Sequence, residues 1–231
     1  LKLIDLETPA LLINKTQLKL NAERMFTRAR ELGVQLRPHV KTLKSIEAAE
    51  IYAPQPMPVT VSTLREAEAF AAAGYQDILY GVGIAANKLS RAASLIRNGV
   101  TLRLFVDSLS AADAVCEAAQ SLQLPFHVFI ELDVDGHRAG VPPKSNELLT
   151  IAAALARCEH VTLCGVASHA GESYNCRSLE EIAAMAEQER ALTVEAAEFL
   201  AENGHSISHV SVGSTPTALA AQSLEGVTEL R

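Results

Sequence analysis

Tryptophan is absent from the 231 residues, and aromatic side chains make up only 4%. The interior must therefore be packed with Ala, Leu, Val and Ile, and the aromatic platforms that stack single-stranded nucleic acid are scarce. No basic run occurs either. Lys and Arg number 20 against 27 Asp and Glu, a formal net charge of -7. No nucleic-acid or anionic-membrane partner is expected from that balance, although a local anion pocket is compatible with it. No stretch approaches the roughly 18 uninterrupted apolar residues of a membrane span, and no signal peptide is visible. Cys116, Cys158, Cys164 and Cys176 form no C-x-x-C pair, so reduced thiols and a cytoplasmic location are expected. No three-ligand metal set stands out, because Cys164 and His169 are an odd number of residues apart on one strand and point to opposite faces. The lack of a G-x-S-x-G elbow argues against a hydrolase.

What is present is alternation. Apolar residues are 48% and charged residues 20%, enough for a large core and far from a disordered composition. Ala- and Leu-rich stretches of helical period alternate with short Val, Ile and Leu runs, the sequence form of βα repeats. A helix is expected over 16–32, closed by Gly33. Strands are expected at 35–40, 58–62, 77–81, 102–107, 126–134, 161–169, 206–213 and 227–230. Helices fill 44–51, 64–73, 86–98, 111–122, 146–157 and 179–203, with at most a short one at 216–223. Ser62 and Thr63 before Glu66, and Ser108 and Ser110 before Asp113, look like helix-start capping pairs. Gly74, Gly99 and Gly204 look like helix stops. Eight short apolar strands with helices between them, and no Gly-rich dinucleotide loop, predict an α/β fold. It is a (β/α)8 TIM barrel over 1–231, ahead of an open doubly wound sheet.

In such a barrel the chemistry sits where the strands end. Four segments there carry unusual residues. Lys41, in Arg37-Pro38-His39-Val40-Lys41-Thr42, follows a strand among apolar neighbours. Partial desolvation suits such an amine to a Schiff base with a carbonyl, while a solvated lysine at a helix start is the plainer alternative. Gly213-Ser214-Thr215-Pro216 combines a strand end, two hydroxyls and a helix-initiating proline, which makes either a phosphate cradle or an ordinary capped turn. Glu131, Asp133, Asp135, His137 and Arg138 crowd one strand end. Either they form an exposed loop, or Arg138 presents a cationic fork to a ligand. His169, with Tyr174 one loop later, can stack on a flat ring or move a proton near neutral pH.

In order along the chain, these segments resemble the pyridoxal-phosphate enzymes of the alanine racemase fold, most closely the D-serine dehydratase and D-threonine aldolase branch. The residues that carry the resemblance are Thr8-Pro9-Ala10, Pro38-His39-Val40-Lys41-Thr42-Leu43-Lys44, Val61 to Ala67 and Phe105 to Ser108. Asp133 to Gly140, His169 to Tyr174 and Val212 to Thr217 complete the set. The resemblance implies an alanine racemase N-terminal barrel in which Lys41 holds pyridoxal 5'-phosphate. His39, Arg138, His169 and Tyr174 then surround the cofactor, and Gly213, Ser214 and Thr215 cup its phosphate. Lys41, His169 and Tyr174 are the expected catalytic residues. The implied reaction is a lyase reaction on a D-hydroxy-amino acid, either D-serine dehydration to pyruvate and ammonia or D-threonine aldol cleavage.

Family members also carry a β-rich C-terminal domain whose His and Cys or Asp bind a divalent metal, zinc or manganese. They pair as homodimers. Those metal ligands are absent from this sequence, and Leu43 stands where the family has a second histidine. A non-catalytic carrier of pyridoxal phosphate is the alternative that suits a single barrel. A cofactor-free aldolase, with Lys41 acting on substrate directly, is the third reading.

Overall fold

The structure, a computed structural model, describes residues 2–231; Leu1, the first residue of the expected domain, lies outside them. The chain alternates helix and strand as its periodicity requires. Helix α1 (Lys15–Glu31) leads into β1 (Gln35–Leu36), α2 (Ile46–Tyr52), β2 (Val59–Val61), α3 (Leu64–Ala72) and β3 (Asp77–Gly83). Then come α4 (Leu89–Arg97), β4 (Thr101–Val106), α5 (Leu109–Leu122), β5 (Phe126–Leu132) and α6 (Asn146–Ala156). The last units are β6 (Val161–Ser168), α7 (Leu179–Glu202), β7 (His209–Val212), α8 (Thr215–Ala220) and β8 (Glu229–Leu230).

Helix boundaries follow local chemistry. Thr63 caps α3 by accepting from Glu66 N, and the Glu66 carboxylate accepts from Ser62 N at 2.7 Å. Ser108 caps α5 through Ala111 N, leaving Asp113 out of the cap. The expected helix from residue 86 opens as a 3-10 turn, Ala86–Lys88, before α4. Strand β1 is shorter than the strand expected over 35–40, because Pro38 offers no N–H to a ladder.

All strand pairs are parallel, in the order β1-β8-β7-β6-β5-β4-β3-β2. The two ends of this sheet meet through a parallel bridge between His39 and Thr60, with Val40 N donating to Thr60 O and Thr60 N to Pro38 O, both at 2.9 Å. The arrangement is consistent with a (β/α)8 barrel. Strand residues such as Ile78, Tyr80, Leu102 and Leu104 pack outward against the helices.

Their alternating neighbours fill the lumen in two chemically distinct sets. Leu79, Phe105, Phe129, Cys164 and Ala167 form an apolar cluster inside β3–β6. An ionic string starts at Arg103 and Asp77. It passes through Arg37, whose Nη1 lies 2.7 Å from Asp77 and whose Nε lies 2.6 Å from Glu229. Ser211 Oγ donates to Glu229 at 2.8 Å, and Arg231 Nε donates to Ser211 Oγ at 2.7 Å.

One expectation is corrected. Cys116 and Cys158 form a disulfide although they are 42 residues apart. Packing of α5 on α6 brings their Cα atoms to 5.7 Å, a spatial proximity that linear spacing does not encode. Cys164 and Cys176 are free thiols, as expected.

Candidate active site

The exits of β1, β5, β6 and β7 open on one face. The predicted residues follow from the turns that leave each strand.

His39 and Lys41 come from the turn after β1. Lys41 N donates to His39 Nδ1 at 3.3 Å. The proton of the neutral ring therefore sits on Nε2, 3.3 Å from Ser62 Oγ. Burial, followed by the charges of Lys41 and Arg231, pushes the imidazolium of His39 down to about 3. The side chain of Lys41 is exposed at the mouth. Burial of its amine, then the cations Arg138 and Arg231, lower its ammonium below the ordinary lysine range, with Glu66 opposing.

Arg138 rides on the loop after β5. That loop folds back on its own strand through Val141 N to Glu131 O (2.9 Å) and Asp133 N to Val141 O (3.0 Å). Asp135 accepts from Glu172 N at 2.8 Å and so fastens this loop to the turn after β6. A Cβ on Gly171 would stand 3.4 Å from Arg138 Cδ. The arginine thus lies in van der Waals range of that turn.

His169 ends β6. Its Nδ1 is 2.7 Å from Gly213 O. A carbonyl only accepts, so Nδ1 carries the proton and Nε2 is left as a lone-pair acceptor. Burial, then Arg138 and Arg231, hold this imidazolium at about 4. The two imidazoles are thus neutral at pH 7 and are opposite tautomers. Tyr174, on the following 3-10 turn, stacks on His169 with ring centroids 6.1 Å apart.

The turn after β7 divides its work. Gly213 has φ +138, and a Cβ there would lie 2.5 Å from Arg231 O, so glycine is required. Its N–H donates to Glu189 at 3.1 Å. Ser214 Oγ is held by Ser173 Oγ at 2.9 Å and Thr217 Oγ1 at 3.0 Å. Thr215 is exposed, and its N–H and hydroxyl have no internal partner among the described residues. Gly213 and Ser214 therefore form the frame of the predicted cradle, and Thr215 is its open donor.

The structure adds residues that sequence reasoning passed over. Arg231 reaches from the end of β8 to Ser211 Oγ and Ser168 O, and its charge bears on His39, Lys41 and His169. Glu189 is buried on α7 beneath the turns after β6 and β7. A signal for it was available: it falls on the buried stripe Ala186, Glu189, Thr193, Ala196 and Leu200, a charged residue on an apolar helical face. Glu131, inside β5, is pushed up by burial, against the pull of Arg231.

No helix among the described residues is long and apolar enough to cross a membrane. Among the same residues, no group of three or more His, Cys, Asp or Glu side chains is placed to hold a metal ion.

Comparison with known proteins places the family and the fold. The family described as alanine racemase, N-terminal domain, matches residues 13–231. D-threo-3-hydroxyaspartate dehydratase of Delftia sp. (strain HT23) is 47% identical over 233 residues, which cover 99% of this chain and 60% of that protein. D-serine dehydratase of Dictyostelium discoideum is 31% identical, with 92% of this chain and 57% of the relative covered. The solved structure of the Delftia sp. HT23 dehydratase superposes with a TM-score of 0.94, covering 99% of this chain and 60% of that one. The chain thus spans about 60% of the length of the relatives it matches. It belongs to the alanine racemase N-terminal domain family, the fold-type III pyridoxal-phosphate group.

Proposed function

We propose that this chain is the pyridoxal-phosphate-binding barrel of a lyase that eliminates water from a D-amino acid bearing a β-hydroxyl. The observation that carries the reading is the meeting of Lys41, His39, His169 and Arg138 in one electrostatic neighbourhood at the strand exits. The donor set suits the cofactor. Lys41 is an accessible primary amine with a depressed pKa, the form that reacts with an aldehyde. Thr215 offers an N–H and a hydroxyl for phosphate on a frame that only glycine can complete at residue 213. Arg138 has no carboxylate partner among the described residues, so its charge is available to an anionic ligand atom.

When bound, pyridoxal phosphate supplies the electron sink for bond breaking at Cα. The rest is the work of this chain. Lys41 Nζ, its basicity lowered by burial and then by Arg138 and Arg231, takes the α-proton. His169 is fixed by its Nδ1–H bond to Gly213 and presents Nε2 as a lone pair to the reacting face. Tyr174 covers the solvent side of that ring. His39, neutral and tied between Lys41 N and Ser62, holds the lysine turn in place without adding charge. Loss of the α-proton and the β-hydroxyl, followed by hydrolysis, gives a 2-oxo acid and ammonia.

The 47% identity to a D-threo-3-hydroxyaspartate dehydratase, against 31% to a D-serine dehydratase, ranks a hydroxy dicarboxylic D-amino acid ahead of D-serine, and dehydration ahead of the aldol cleavage of D-threonine. A homodimer belongs to the same reading, because Tyr174 and Leu179 leave apolar surface exposed beside the mouth. The test is borohydride reduction of protein incubated with pyridoxal phosphate, followed by peptide mass mapping. An adduct at Lys41, absent in Lys41→Ala, is expected; an adduct spread over surface lysines overturns the proposal. Assays of 2-oxo acid release from D-threo-3-hydroxyaspartate, D-serine and D-threonine, with and without zinc, then rank the substrates.

A further inference from the structure

The most thoroughly partnered buried carboxylate in the molecule belongs to Glu189, which is 1% exposed. Its Oε1 accepts from Ala170 N at 2.9 Å and from Gly213 N at 3.1 Å. Its Oε2 accepts from Thr217 Oγ1 at 2.7 Å. Ala170 follows His169, and Gly213 opens the cradle. One carboxylate from helix α7 therefore grips the backbone of two different strand exits. A hydroxyl relay extends the grip. Thr217 Oγ1 accepts from Ser214 N at 3.1 Å, and Ser214 Oγ meets Ser173 Oγ, which donates to Ala170 O at 2.7 Å.

The Gly213 peptide is consequently held on both sides. Its N–H is tied to Glu189 and its carbonyl accepts from His169 Nδ1. With φ +138, Gly213 has backbone conformations open to it that other residues lack, so its peptide needs such a restraint to stay in one orientation. Three donors converging on one buried carboxylate are also a costly arrangement to break, since each would be left without a partner.

We infer that Glu189 is a positioning residue: it clamps the exits of β6 and β7 together, orienting the Gly213 peptide so that His169 is held as the Nδ1–H tautomer beside the Thr215 cradle. This deepens the proposed function and rests on it for its chemical purpose. The clamp itself is a property of the protein alone.

The groups facing Glu189 are Ser168, Ala170, Thr193, Gly213 and Thr217, with the Arg231 charge nearby. Glu189→Gln keeps an oxygen for the two backbone N–H groups. Glu189→Met keeps the length and removes both acceptors. Glu189→Asp keeps the carboxyl group and is one methylene too short to span both turns.

Nitrogen-15 NMR of the imidazoles reads the tautomer of His169 without cofactor, with His169→Gln assigning the signal. Titration with pyridoxal phosphate reads the cradle. Wild type and Glu189→Gln should both show Nδ1 protonated, with cofactor affinities within threefold of each other. Glu189→Met should lose the single Nδ1–H signature and bind pyridoxal phosphate at least tenfold more weakly. If Glu189→Met does not fold, Glu189→Asp carries the same expectation. A folded Met or Asp variant with the wild-type His169 signature overturns the inference, as does a Gln variant as impaired as Met. Wild-type protein that takes up no cofactor sinks the functional reading, while the NMR arm still decides the clamp.

Discussion

The two sets of side chains inside the barrel teach different lessons. Leu79, Phe105, Phe129, Cys164 and Ala167 fill their part of the lumen with hydrocarbon, and Phe105 and Phe129 meet at a tilt with centroids 6.2 Å apart. Arg37, Glu229, Ser211 and Arg231 instead fill their part with charges and hydroxyls. The apolar set gains by leaving water, and its alignment is forgiving. The ionic set gains only if every partner is present, because burial alone opposes each charge. Burial pulls the Arg37 guanidinium down, and Glu229 and Asp77 more than offset it. The ionic set also ends at Arg231, whose charge bears on Lys41, His39 and His169. One set holds the barrel. The other holds it and sets the electrostatics of the mouth.

The sharpest break of this contrast is Arg37→Met. It leaves Glu229, which is 1% exposed, with the Ser211 hydroxyl and the nearby Arg231 charge. A loss of about 3–5 kcal/mol is expected, the range for breaking a buried pair. The double change Arg37→Met with Glu229→Leu should recover most of it, and denaturant unfolding of the three proteins checks both statements. On the apolar side, Leu79→Ala should cost about 2–4 kcal/mol through its cavity. No partner change should rescue it, and the Lys41 adduct should still form.

Outside the lumen, Cys116→Ser removes the α5–α6 disulfide and should cost about 2 kcal/mol, near the low end for such links because the helices remain packed. Thiol counting in denatured, unreduced protein should find two of the four cysteines free.

The remaining effect concerns acid. His39 and His169 bind protons only near 3 and 4 when folded, against 6.5 when unfolded. Between those values the unfolded chain holds more protons, so their contribution to stability falls as pH drops from about 6.5 towards 4. Glu131 and Glu189, held high by burial, work in the opposite direction. Thermal unfolding of His169→Asn across that window should show a shallower acid loss than wild type.

Much of the fold was legible because its signals are local. Thr63 with Glu66, and the stops at Gly74, Gly99 and Gly204, mark helix ends through bonds and backbone angles that span a few residues. Lys41, Arg138, His169 and the 213–215 turn were legible as unusual residues at strand ends, where a barrel places its chemistry. The 213–215 turn was legible only as a segment. That Gly213 N and Ser214 Oγ face inward depends on Glu189 and Ser173, which belong to other elements. Cys116 and Cys158 escaped notice for the same reason, since two helices had to pack before the sulfurs could meet.

By itself, then, the sequence determined the βα alternation, the helix ends and the roster of reactive groups at the strand exits. Periodicity, capping and proline or glycine placement act over a handful of neighbouring residues. The tertiary structure alone decided which charges face each other across the lumen, which tautomer each histidine adopts and which donors of the cradle remain open. Those outcomes depend on distances between groups far apart in the chain. Closing the sheet brings Arg37 to Glu229, packing α7 against the strand exits brings Glu189 to Gly213, and no local preference encodes either contact.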